Sequence, residues 1–181
     1  MHYENREVEL SRLVALDFYI SYFMEGPVGH TFVSFIFDNA APVSISIETR
    51  PEVGEGFAPV ASMFKQFELI YIVGEERDLV GVRANHRNEP IYLYRLNTSA
   101  EDARRLFLVY LQRINELAEG PEFYHLLTNS CTINIVRYAM PPGGRAASTS
   151  ATFSTVSSTP IRTAPAGSTR HCRLTNCGVA R

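Results

Sequence analysis

A chain of 181 residues is long enough for one domain with a substantial core. Its 45% hydrophobic and 20% charged residues are ordinary for a soluble globular protein, and three cysteines are too few for a disulfide scaffold. The net charge of −2 hides an asymmetry. Residues 1–140 hold 12 of the 17 Lys and Arg against all 19 acids, a balance of −7, whereas residues 141–181 hold five Arg and no acid or Lys. An acidic globular part argues against a nucleic-acid footprint.

The first strand is expected over Leu16–Met24, LDFYISYFM, ending in the turn signal Glu25-Gly26-Pro27. His30–Phe37, HTFVSFIF, is rich in β-branched and aromatic residues, and as a strand it puts His30, Phe32, Ser34 and Ile36 on one face. Val43–Thr49 alternates strictly, with Ser44, Ser46 and Glu48 on one side and Ile45 and Ile47 on the other, the period of a half-buried strand. Residues 50–60 read as a loop, Val60–Gln66 as a short helix and Phe67–Val73 as a buried strand. The charged stretch Glu75–Arg87 leans to a short helix, and Ile91–Leu96 is another strand.

The strongest helix is Ala100–Glu119, whose apolar stripe runs through Ala103, Leu106, Phe107, Tyr110, Leu111, Ile114, Leu117 and Ala118. Thr98 with Glu101 has the form of a capping box, and Gly120-Pro121 supplies the stop. Asn129 and Ser130 can cap a further helix beginning near Cys131. After Ala139 the chain changes character. Thirteen of residues 141–181 are Ser or Thr and no apolar periodicity survives. Two units follow from this: a domain over 1–139 and a low-complexity tail over 140–181, expected to be disordered or the product of a shifted reading frame.

Cys131 is the one cysteine in the globular part. At a helix start, unpaired N–H groups stabilise a thiolate and can hold the oxyanion that forms when it attacks an acyl carbon. A lone cysteine is also commonly a small buried hydrophobe. A nucleophilic thiol needs a base, and the globular part offers His2, His30, His86 and His125. His2 is terminal, His86 sits in a polar turn, and His125 precedes the helix. His30 opens an apolar strand directly after Gly29, a position suited either to a cleft at the sheet edge or to a core histidine satisfied by backbone. Glu48 is the best acid to orient the imidazole, since strands 30–37 and 43–49 paired as a hairpin would bring it near His30, with pairing to Arg50 as its other role, and Ser44, Ser46 and Asn129 are polar alternatives. Glu75, Glu76, Arg77, Asp78 and Arg83 form a charged cluster of the kind that usually marks a solvated face or an ion-pair network. No phosphate loop or His-Glu-x-x-His pattern is present, and His171, Cys172 and Cys177 in the tail lack a fourth ligand, so no metal or other cofactor is expected.

The segments GHTFVSFIF, SISIETR, FELIYIVGEERDLVGVR, IYLYRL and PEFYHLLTNSCTINI together resemble the Lnb N-terminal periplasmic domain family over roughly residues 5–139. That family is similar to NlpC-type and papain-like thiol enzymes, in a permuted order with His first on a strand and Cys last at a helix start. The resemblance implies an α+β fold, an antiparallel sheet of about four or five strands with packed helices and the Cys helix against the sheet. It also implies a Cys131–His30 centre that transfers an acyl chain through a thioester to an amine, with a lipoprotein or membrane lipid as substrate at the periplasmic face of the cell membrane. No apolar signal core opens MHYENREVELSR and no stretch reaches roughly 20 apolar residues, so no anchor is read in the chain, and its relatives continue past the Cys helix in recognisable sequence; a truncated domain is expected. Two other functions use the same residues differently: a cysteine peptidase or amidase acting on cell-wall peptides, and a non-catalytic remnant with an inert thiol.

Overall fold

The computed structural model describes residues 5–23, 29–50, 67–125 and 127–140, and the backbone of residues 155–161. Expectations that fall on His2, Met24, Val60–Gln66, His171, Cys172 and Cys177 lie outside these residues.

The fold is α+β. After a 3₁₀ turn at Leu10–Arg12 come β1 (Leu13–Ser21), β2 (His30–Phe37), β3 (Val43–Arg50) and β4 (Glu68–Glu75). Helix α1 (Glu76–Gly81) runs directly into a π-helical turn at Val82–His86, followed by β5 (Ile91–Leu96), α2 (Ala100–Glu119) and α3 (Cys131–Ala139). A last strand, β6, spans Thr155–Ile161. One antiparallel sheet orders the strands β4-β3-β2-β1-β5-β6. β1 begins three residues before the expected Leu16 and ends at Ser21. Its register is set by pairing, with Leu13 opposite Phe37 and Ser21 opposite His30. β6 falls within the segment expected to be disordered, and it pairs with β5 at the sheet edge, the kind of strand to which a proline such as Pro160 is confined because one of its sides makes no ladder.

The central strands β2 and β3 are buried on both faces, which corrects the reading of β3 as half-buried, whereas β4, expected to be a buried strand, is mostly part-buried and exposes Val73. On one face, Val33, Phe35, Phe37, Ile45, Ile47 and Leu69 pack with Leu106, Phe107 and Tyr110 of α2 and Ile135 and Tyr138 of α3. Phe35 meets Phe107 edge-on at 4.8 Å between ring centroids, and Tyr110 meets Tyr138 edge-on at 5.2 Å. On the other face, Tyr19, Phe32 and Ile91 pack with Leu79, Val80 and Ala84 of α1 and the π-helical turn. Ser34, Ser44 and Ser46 face this second layer and are fully buried. Their hydroxyls are satisfied within it: Ser44 donates to Ser34 at 2.9 Å and Ser34 to Glu76 at 2.7 Å. A strict polar–apolar period therefore records two kinds of buried layer here, one apolar and one hydrogen-bonded.

Helix α2 has the expected bounds but a different cap. Ser99, not Thr98, is the N-cap; its Oγ accepts the Asp102 N–H at 3.0 Å. Asp102 takes the place assigned to Glu101, because the cap begins one residue later. Of the expected stripe, Ala103, Leu106, Phe107 and Tyr110 are buried, whereas Leu111 is 37% exposed. Gly120 ends the helix as expected.

Removing the Phe35 ring is expected to destabilise the fold by about 3–5 kcal/mol, since the side chain is wholly buried between the sheet and α2. Leu108→Ala, on the exposed face of the same helix, should change stability by within about 0.5 kcal/mol. Denaturant titration of both variants compares them directly, and equal losses would contradict this packing.

Candidate functional site

His30 opens β2. Gly29 before it is required by close approach, since a Cβ there would stand 3.0 Å from Ile20 Cγ2 and 3.2 Å from the Ser21 carbonyl oxygen. The imidazole lies on the face of the sheet covered by α1 and the π-helical turn, stacked at 6.3 Å on Phe32. Its Nε2 lies 2.6 Å from Ser46 Oγ, and Ser46 Oγ donates to Glu48 Oε1 at 2.9 Å. Because the serine proton goes to the carboxylate, the serine oxygen is the acceptor and His30 carries its proton on Nε2. Nδ1 is left as the acceptor nitrogen. Glu48 Oε1 itself is 3.7 Å from Nε2. The sequence placed Glu48 near His30, and the structure brings them together with Ser46 between them. Arg50, the other partner considered for Glu48, reaches Glu68 at 3.5 Å instead.

Burial holds His30 protonation well below the ordinary imidazole range, and the positive charges of Arg83 and Arg87 act in the same direction. The Arg83 guanidinium is almost wholly buried and donates to Glu48. Its other side lies 3.5 Å from Glu89, which accepts from Ser21, the register partner of His30. Asn88 adopts a left-handed backbone, φ 52°, in the turn that delivers Glu89 to this position. Of the two roles the sequence offered the charged cluster, a solvated face or an ion-pair network, Arg83 takes the second, though its partners Glu48 and Glu89 lie outside that cluster and neither Glu89 nor Ser21 was singled out. The one available signal was spacing, since Val80, Arg83 and Ala84 fall on one helical face.

Cys131 is the first residue of α3, as expected. Ser130 caps the helix, its Oγ accepting the Ile133 N–H at 3.4 Å. Asn134, fully buried, donates to Asn129 Oδ1 at 2.8 Å and accepts from Arg137 at 3.1 Å. Asn129 in turn donates to the Phe123 carbonyl at 2.9 Å, so its role is to fix the helix start and not to orient His30. The thiol is 6% exposed and belongs to the apolar core on the α2–α3 face. Its polar neighbours are the Tyr124 hydroxyl and Thr132 Oγ1, each 3.9 Å from Sγ. Burial, with Cys131 beside it, pushes the Tyr124 hydroxyl well above the ordinary phenol range, so it stays protonated.

The two expected partners thus occupy opposite faces of the sheet at the same end of β2. The residues following each of them touch: Thr31 Oγ1 lies 3.0 Å from Thr132 Oγ1. No hydrogen bond joins the thiol to the imidazole. Of the other histidines, His86 is exposed and His125 Nδ1 accepts the Leu127 N–H at 3.2 Å. No group of three or more His, Cys, Asp or Glu among the described residues can hold a metal ion.

A sequence model of the Lnb N-terminal periplasmic domain matches residues 1–165. The chain belongs to the Lnb N-terminal periplasmic domain family. The match runs past residue 139, where the sequence alone placed the boundary, and takes in β6. Neither a curated protein nor a solved structure shows significant similarity to the chain. No helix among the described residues is long and apolar enough to cross a membrane.

The lowered protonation of His30 has a defined stability signature. In the unfolded chain the imidazole takes up a proton near pH 6.5, and in the folded protein it resists doing so. Its neutral burial is therefore fully accommodated above pH 6.5, and stability is lost as pH falls below that value toward the folded-state protonation. The slope approaches about 1.4 kcal/mol per pH unit. The stability difference between the wild-type protein and His30→Gln should shrink as pH falls from 7 to 5. Denaturant titrations at each pH would measure it, and a difference independent of pH would contradict a neutral buried imidazole.

Proposed function

We propose that this member of the Lnb N-terminal periplasmic domain family is a thiol-dependent acyltransferase of permuted papain-like type. It acts at the periplasmic face of the membrane on a lipoprotein or membrane lipid. The observation that carries this reading is the Glu48–Ser46–His30 chain, which holds the imidazole neutral, protonated on Nε2, with Nδ1 as the acceptor. It ends one residue from the Thr31–Thr132 contact that ties β2 to the start of the Cys131 helix.

In the first half-reaction the Cys131 thiol gives its proton to His30 Nδ1 as Sγ attacks an ester carbonyl. The tetrahedral oxyanion is met by N–H groups of the first turn of α3. Collapse breaks the ester C–O bond, the leaving alkoxide takes the proton from His30, and a thioester on Cys131 remains. In the second half-reaction an amine attacks the thioester, loses a proton to His30, and expels the thiolate, which is reprotonated as the amide leaves. For the first step Sγ must leave the Tyr124 side of the helix start and reach the His30 side of β2.

The opposite-face placement and the buried thiol favour a second reading, a non-catalytic domain with an inert thiol. One experiment separates these. The protein is incubated with a diacyl lipopeptide and, separately, with a peptidoglycan fragment, and the intact mass of the protein is followed. The acyltransferase reading expects an acyl adduct on Cys131 and transfer to amine, absent in Cys131→Ala and slowed by about 10²-fold or more in His30→Ala. Cleavage of the fragment with no acyl movement would identify a peptidase or amidase instead. A Cys131 thiol that reacts with an electrophile no faster than free cysteine, with no adduct from either substrate, would leave the non-catalytic reading.

A further inference from the structure

Arg83 lies outside the Glu48–Ser46–His30 chain, yet the geometry around it is that of a keystone. It sits in the π-helical turn Val82–His86, where the wider backbone pattern is marked by the Arg87 N–H donating to the Val82 carbonyl at 3.1 Å. Such turns are uncommon and frequently occur at functional sites. The side chain is 5% exposed and lies between two carboxylates from different strand ends, Glu48 of β3 and Glu89 just before β5. Its guanidinium carbon stands 5.4 Å from the centroid of Phe32, the ring on which His30 is stacked. The Arg83 carbonyl also accepts the Glu89 N–H at 3.0 Å, so backbone and side chain hold the same neighbour.

We propose that Arg83 is a positioning residue for His30: by clamping Glu48 from the π-helical turn, it fixes the Glu48–Ser46–His30 chain so that the imidazole keeps its proton on Nε2 and presents Nδ1. The proposal rests on the reading of His30 as the base and assigns a tautomer-setting role to a residue that touches neither thiol nor substrate. Three features make Arg suited to the task. It stays charged when buried, its fork reaches two carboxylates at once, and its flat face lies on Phe32. A lysine offers the charge without the fork. The charged and titratable groups set against His30 by the described residues are Glu48 from β3, Arg83 and Arg87 from the π-helical turn and its end, and Glu89, reached through Arg83, from the turn before β5. Without Arg83, Glu48 loses its main counter-charge and would draw the proton toward the Ser46–His30 end of the chain. The imidazole then becomes easier to protonate and its tautomer is no longer fixed.

The test is ¹⁵N NMR of the His30 ring in the full chain, comparing wild type with Arg83→Lys, Arg83→Gln and Ser46→Ala, with amide spectra reporting the fold. Wild type should show a single Nε2–H tautomer that stays neutral below pH 6.5. Arg83→Gln should raise the His30 midpoint by about 1 pH unit or more and mix the tautomers. Arg83→Lys should keep the midpoint low while the tautomers mix. Ser46→Ala, which leaves Arg83 in place, should lose the Nε2–H preference. An unchanged tautomer and midpoint in a folded Arg83→Gln protein would overturn the proposal. Should both Arg83 variants unfold, an unchanged tautomer in Ser46→Ala would do so. The readout needs no turnover: a ring that responds as described in a protein that never forms an acyl adduct sustains the role of Arg83 and removes the acyltransferase reading. An adduct with an indifferent ring does the reverse.

Discussion

The period-two alternation of β2 and β3, buried on both sides, is the constraint on which the remaining structure depends. Had one face of the sheet met solvent, its serines and its histidine would be hydrated surface groups. Instead Ser34, Ser44 and Ser46 are fully buried beneath α1 and the π-helical turn, where every hydroxyl without a partner would cost about 1–3 kcal/mol. The layer therefore has to close on itself. It does so through Glu76 at one end and through Glu48, Arg83 and Glu89 at the other. The polar side chains that look like a candidate site are also the ones that make a second buried face tolerable.

That double role sets the energetics. Removing one partner from a buried ion pair is costly, about 3–5 kcal/mol, because the remaining charge is stranded. Arg83 serves two carboxylates, so Glu48 and Glu89 are both exposed to its loss. The apolar face is held differently, by ring contacts among Phe35, Phe107, Tyr110 and Tyr138 and by burial of aliphatic strand residues. The α2–α3 side tolerates conservative reshaping better than the side that carries His30, where geometry and charge must agree together.

Much of this was legible in the sequence where a single period dominates. β2, β5 and α2 have the bounds read from their patterns, and α3 begins at Cys131 because Ser130 offers a cap and the apolar spacing follows. The reading slipped where tertiary pairing overrides local preference. β1 is displaced toward Leu13 by its ladder with β2, and the α2 cap falls on Ser99 because Asp102 completes it. Glu48 was placed beside His30 by strand alternation and a hairpin, which is local information. Arg83 and Glu89 could not be placed that way. Their approach to β3 and β1 depends on how α1 and the π-helical turn fold back over the sheet; helical spacing puts Arg83 on the face of Val80 and Ala84 but does not say what that face covers. β6 was missed for a related reason, since a Ser- and Thr-rich segment forms a strand when a sheet edge is available to pair with it.

The same alternation that protects His30 also separates it from Cys131. Successive residues of a strand point to opposite faces, so Thr31 meets Thr132 on the helix side while His30 turns to the other. A neutral imidazole and a thiol lodged against Tyr124 do not form a resting ion pair. On the acyltransferase reading, deprotonation of Cys131 then cannot precede the movement of Sγ around the end of β2, and the nucleophile is generated only when the two sides of the strand end are brought together. The burial of Cys131 and the opposite-face placement of His30, which taken singly look like marks of an inert core, are on that reading the two things the movement of Sγ has to overcome.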